Sequence, residues 1–231
     1  MICDNIKIIL EKIDRAKNKA GLKKDIKLVA VTKTVSADKI IEAIECGITI
    51  IGENRIQEAE RKHSQLSTLN SQLKWHLIGH LQTNKVKKAV ELFDLIQSVD
   101  SIYLLEEINK QSEKIGKVQE CFVEIKVSEE ETKYGLKPTE LESFMEKASE
   151  LKNVKITGLM AMAPFCENIE LTRPYFKQAY KYFSLVVTRY SLLYLSMGMT
   201  GDFEVAIEEG SNMVRIGTGI FHNGAPDFSR G

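Results

Sequence analysis

Lys33 stands after the apolar run Leu28-Val29-Ala30-Val31 and Thr32, and Ser36 behind it can open a helix. An amine at a strand end, held against apolar walls, is free to attack a carbonyl carbon. Taken alone, such a lysine is more often a solvated surface residue. Two segments late in the chain change its meaning. Ser196-Met197-Gly198-Met199-Thr200-Gly201 and Gly217-Thr218-Gly219 offer hydroxyls and uncrowded backbone N–H groups, which together can cradle a phosphate. Asp202 can cap the helix that follows the first of them. Arg215, two residues before Gly217, shares its strand face by the period of two. A guanidinium needs an acceptor there: a pyridine nitrogen, or a carboxylate such as Glu204 or Glu208. If the three places meet at one mouth, they suit an aldehyde that ends in a phosphate.

What could bring them together is the order of elements. Strand-like runs fall at 27–31, 48–51, 74–78, 95–99, 121–127, 155–160, 193–197 and 213–216. Helical patterns occupy 37–46, 53–69, 83–93, 102–115, 139–151, 170–190 and 203–209 between them, and 1–20 reads as an extra N-terminal helix. Ser36 and the pair Asp100-Ser101 are start signals, and Gly47 and Gly210 are stop signals. Strands joined by crossover helices must pair in parallel. About eight such units predict a (β/α)₈ TIM-type barrel, an α/β fold whose working face lies at the strand C-termini. An open doubly wound sheet is the rival, but no G-x-G-x-x-G follows the first strand. No linker or repeat divides residues 1–231, so a single domain is expected.

Bulk properties narrow the function classes. Lys plus Arg is 32 and Asp plus Glu is 32, so no overall field recruits nucleic acid or an anionic membrane. The polar N-terminus and the lack of long apolar runs predict a cytoplasmic protein. Cys3, Cys46, Cys121 and Cys166 are scattered with no C-x-x-C, which predicts free thiols. His76 and His80 have H-x-x-x-H spacing without the glutamate of a metalloprotease helix, so no metal site is expected. Lys85, Lys87 and Lys88 form a patch that reads as a solvated helix face. Met160, Met162, Met197 and Met199 alternate along strands, so half should fill the barrel interior.

The segments Val29-Ala30-Val31-Thr32-Lys33-Thr34, Gly52-Glu53-Asn54-Arg55, Trp75-His76-Leu77-Ile78-Gly79-His80-Leu81-Gln82, Gly158-Leu159-Met160-Ala161-Met162, Leu195-Ser196-Met197-Gly198-Met199 and Val214-Arg215-Ile216-Gly217-Thr218 run in order along the chain. Together they resemble the pyridoxal-phosphate homeostasis proteins, whose fold is that of the N-terminal domain of alanine racemase. The resemblance implies that pyridoxal 5'-phosphate is held as a Schiff base on Lys33. It implies that Ser196, Gly217 and Thr218 hold the phosphate, that Arg215 faces the pyridine nitrogen, and that Asn54 and His80 lie around the cofactor. An Arg-bound ring nitrogen stays unprotonated, which makes the ring a poor electron sink. Lys133 resembles a second family lysine that could accept the aldehyde, although a surface role is the commoner one. Two places depart from the family pattern: Phe221-His222-Asn223-Gly224, and the acidic run Glu129-Glu130-Glu131 before Lys133.

Two other functions would use similar groups. An amino-acid racemase needs an acid/base on each face of the substrate carbon. Alanine racemase takes its second base from a further β-domain, which a sequence ending at Gly231 is expected to lack. A sugar-phosphate isomerase or aldolase barrel would use the same phosphate loops, with its lysine usually on a later strand. The expectation is therefore a monomer that buffers, stores or delivers the cofactor with little turnover of its own, and with apo-enzymes that require pyridoxal phosphate as partners.

Overall fold

A computed structural model of the chain describes residues 1–128 and 134–222. Its strands are β1 (Lys27–Val31), β2 (Ile50–Glu53), β3 (Lys74–Leu77), β4 (Leu95–Val99), β5 (Gln119–Ile125), β6 (Val154–Ala161), β7 (Tyr194–Ser196) and β8 (Met213–Ile216). Its helices are α1 (Ile2–Lys19), α2 (Ala37–Glu45), α3 (Ile56–Gln65), α4 (Val86–Leu92), α5 (Ile102–Lys114), α6 (Leu141–Ser149), α7 (Arg173–Tyr190), α8 (Phe203–Glu208) and α9 (Thr218–Phe221). The strands pair in parallel in sequence order, and β8 closes on β1 with Lys27 opposite Met213 and Val29 opposite Arg215. This closed eight-stranded barrel is the expected TIM-type fold.

Period two divides the strand side chains between two cores. Val29, Leu95, Phe122, Met160 and Met213 form a small cluster, with Ile50, Met162 and Tyr194 packed against it, while alternate residues such as Ala30, Ile96, Val123 and Val214 join the larger helix-packed core. Met160 and Met162 belong to the small cluster and Met197 to the large one, which matches the alternation read from sequence.

The extra helix has a structural task. α1 buries Ile2, Ile6, Ile9, Ile13 and Ala16 along one stripe, packed on α2, α8 and α9. The buried Asn5 donates to the Ile220 carbonyl at 3.0 Å, which ties α1 to α9. Here one expectation is corrected. Cys3 and Cys46 are joined in a disulfide with their Cα atoms 5.3 Å apart, and only Cys121 and Cys166 are free among the described residues. The start of α1 lies beside the end of α2, a proximity across 43 residues that no local spacing reveals. Among the described residues no helix is long and apolar enough to cross a membrane.

Of two helix-start signals, one acts as read and the other does not. Ser101 caps α5 by accepting from the Leu104 N–H at 3.4 Å. Asp202 sits at the N-cap of α8, yet its carboxylate accepts from Met199 N–H at 2.7 Å instead of a helix amide. It fastens the loop before the helix.

Candidate functional site

Where β1 ends, the chain turns sharply through Lys33 and Thr34. Thr34 has φ of +62°, a left-handed conformation that a β-branched side chain adopts only under constraint. Its N–H donates to Glu58 Oε1 at 2.6 Å, and its hydroxyl donates to the Lys33 carbonyl at 2.6 Å. Glu58 is in turn gripped by the Lys62 ammonium, 2.7 Å away. Lys62 is 1% exposed and also donates to Glu53 Oε1 at 2.7 Å and to the Thr32 carbonyl at 2.5 Å. Burial pushes the Glu53 carboxyl up, opposed by the bonds from Lys62 and Thr32. A buried ionic cluster therefore fixes the backbone on both sides of Lys33. The sequence reading missed it, although Glu58 and Lys62 stand at the i, i+4 spacing of a helix pair.

Lys33 itself is exposed, and the apolar residues beside it are Val31, Val35 and Phe221. It opens on a cavity of about 390 Å³ bordered also by Ser36, Lys39, Gly217, Thr218 and His222. Ser36 is the N-cap residue of α2 with extended backbone, but its hydroxyl caps no helix amide. Lys39, in the first turns of α2, adds a second cation that the sequence reading passed over. Across the cavity, Gly217 and Thr218 open α9 directly after β8. The structure thus brings Lys33, Gly217 and Thr218 together. It does so because β1 and β8 are hydrogen-bonded neighbours, with Ala30 opposite Ile216.

Ser196 and Arg215 lie in the barrel interior and are not part of this cavity's lining. Arg215 donates to Ser196 Oγ at 2.7 Å and to the Ala161 carbonyl at 3.1 Å. Burial brings its guanidinium down to about 10, partly offset by Glu124 and Asp202. The carboxylate alternatives for Arg215 are ruled out, because Glu204 pairs with Lys12 while Glu208 pairs with Lys19 and Arg173. Glu124 is the carboxylate whose field Arg215 feels most, and sequence gave no sign of it. Burial pushes Glu124 up to about 7, with Arg215 opposing and Asp100 adding to the rise.

That rise carries a pH dependence of definite sign. In the unfolded chain Glu124 titrates near 4.5, so the folded state holds its proton more tightly. The stability it contributes is complete below pH 4.5 and is lost as pH climbs through 7, about 3 kcal/mol in all. Urea midpoints of the wild type should fall from pH 5 to pH 8 by more than those of Glu124→Gln. Parallel curves would contradict this assignment.

Gly198 is needed for backbone reasons. Its φ is +95°, and an added Cβ would stand 2.6 Å from Ala206 Cβ and 2.8 Å from Phe203 Cα on α8. Gly198→Ala should lower stability by roughly 1–3 kcal/mol, read from thermal unfolding. Asn54 and His80 sit beyond β2 and β3, outside the Lys33 cavity's lining. Gly79 lets the two loops touch, since a Cβ there would run into the Asn54 carbonyl. His80 stacks on Tyr134 with ring centroids 3.8 Å apart, and its Nδ1 is 3.5 Å from Asp100. His76, by contrast, is buried and bonded to Gln97, so the two histidines serve different surroundings. Lys133, Glu129-Glu130-Glu131 and Asn223-Gly224 lie outside the described residues.

The cavity fits an aldehyde with a phosphate tail. An exposed amine stands on one side, a glycine-threonine turn faces it, and a second cation lies beside them.

Comparison with known proteins gives the same direction. The family profile "Alanine racemase, N-terminal domain" matches residues 5–223. The "Pyridoxal phosphate homeostasis protein" of Aquifex aeolicus is 43% identical over 95% of this chain and 96% of its own length. PipY of Synechococcus elongatus, solved with PLP bound, superposes with a TM-score of 0.84 at 33% identity, covering 96% of this chain and all of that one. An alanine racemase of Clostridium difficile shares the fold at a TM-score of 0.73 and 16% identity, and the match spans 58% of its chain. With the barrel closed, the lysine at the end of its first strand and relatives aligned from end to end, the chain belongs to the alanine racemase N-terminal-domain family and, within it, to the pyridoxal phosphate homeostasis proteins.

Proposed function

We propose that this protein binds pyridoxal 5'-phosphate and serves in its homeostasis, buffering, storing or delivering it. The carrying observation is the shared cavity of Lys33 on one side and Gly217 and Thr218 on the other. The relatives' names and the PLP-bound PipY structure support the same ligand. When bound, the group supplies an electrophilic aldehyde. Lys33 provides the amine that takes it covalently, and Gly217 and Thr218 hold the phosphate, while Ser196 fixes Arg215 by accepting from it at 2.7 Å. Arg215 serves the pyridine nitrogen, with Asn54 and His80 around the ring. Lys39 strengthens the hold on the phosphate as a cation beside the turn.

In this reading Lys62 and its two carboxylates keep the Lys33 turn in place before the ligand arrives, so little ordering is left for binding. The protein works as a monomer in the cytoplasm, beside apo-enzymes that take the cofactor. The decisive experiment adds pyridoxal phosphate, follows the visible absorption band, reduces with borohydride and maps the modified peptide. A stable mass increase on Lys33 is expected. An unmodified Lys33 would refute the site, and light scattering that gives more than one chain would refute the monomer. Transfer to an apo-enzyme faster than free release would support delivery, whereas loss of optical activity from L-alanine would favour the racemase.

A further inference from the structure

The opposite end of the barrel carries a second cavity, of about 530 Å³, and a hydrogen-bond chain from Arg215 determines what lies on its floor. Arg215 stays protonated at neutral pH and can only donate, so Ser196 Oγ must accept from it at 2.7 Å. The single hydroxyl proton of Ser196 then goes to Gln97 Oε1, also at 2.7 Å. That contact orients the Gln97 amide, whose NH₂ group is left to face His76 Nδ1 at 3.0 Å. Nδ1 must therefore accept, and the neutral ring carries its proton on Nε2. Burial holds the imidazole neutral by bringing its pKa down to about 4. His76 is only 5% exposed and lines the cavity, and its Nε2–H has no partner among the described residues.

Charges around that donor are unequal. Lys74 and Asp94 neutralise each other at 2.9 Å. Lys117 donates to the carbonyls of Val90 and Phe93 and forms no ion pair among the described residues, feeling Asp94 only through its field. The Lys27 ammonium makes no hydrogen bond or ion pair among the described residues, and Asp25, which feels its field, is bonded to Lys17 at 3.0 Å. Against these two cations the cavity sets Glu120 alone. Leu95, Met213 and Tyr194 supply an apolar wall beside the histidine. One buried N–H donor, a surplus positive charge and an apolar wall make a site for a small organic anion.

We propose that this cavity at the N-terminal end of the strands binds a small carboxylate with an apolar body, its oxygens on His76 Nε2–H and Lys27. The site is separate from the Lys33 cavity, from which the inner core of the barrel divides it. Benzoate is the probe. In ¹⁵N-labelled protein it should shift the His76 ring resonances saturably, with and without saturating pyridoxal phosphate. Lys27→Met, a change at an exposed position, should weaken that binding at least tenfold while leaving the borohydride-stable adduct at Lys33 unchanged. No saturation up to roughly 10 mM would overturn the proposal. So would displacement of benzoate by pyridoxal phosphate, which would assign it to the Lys33 cavity, or unchanged affinity in Lys27→Met.

Discussion

Lys33→Ala should abolish the borohydride-stable adduct with pyridoxal phosphate while the thermal midpoint moves by no more than about 2 °C. The side chain is exposed, and substitutions at such positions cost at most about 0.5 kcal/mol. Chemistry and stability separate here because the backbone of the turn, and not the lysine side chain, carries the bonds to Glu58 and Lys62. Mass spectrometry of the reduced protein, beside its thermal scan, reads both. An adduct retained at full occupancy would transfer the role to another lysine, with Lys39 the first to examine since it borders the same cavity.

Lys62→Met should have the reverse signature. It leaves Glu53, 0% exposed, without its cation, and removing one partner of a buried ion pair costs about 3–5 kcal/mol. For a chain of this size that lowers the thermal midpoint by roughly 6–20 °C. Lys33 keeps its amine, so the adduct still forms, but the strained Thr34 turn loses the support behind Glu58 and adduct formation slows. Adding Glu53→Gln should recover part of the lost stability, because the stranded charge is then gone. A single variant as stable as the wild type would show that the cluster contributes nothing net.

The architecture was legible in the sequence because it rests on period and punctuation. β1, β4 and β8 have the boundaries read from the apolar runs, and Gly47 and Gly210 follow α2 and α8 with φ of +95° and +97°. The helical pattern at 53–69 yields a helix that starts only at Ile56. The structure instead buries Glu53 at the end of β2, where Lys62 meets it. Lys33, Gly217 and Thr218 could be picked out because glycine turns and strand ends have local signatures. Glu124, Gln97 and the Cys3–Cys46 link could not, since each owes its role to residues far along the chain. The interior position of Ser196 is of the same kind. Its serine was visible, but its bonds to Arg215 and Gln97 exist only once strands 4, 7 and 8 surround one axis.

Because Lys33 follows the first strand and Thr218 the last, the two halves of the proposed grip are separated by nearly the whole span of synthesis. A ribosome that has delivered seven strands has made the nucleophile but none of the clasp opposite it. On that proposal, capture of the vitamer waits for the final seam to close, and a half-made polypeptide leaves the free pool untouched.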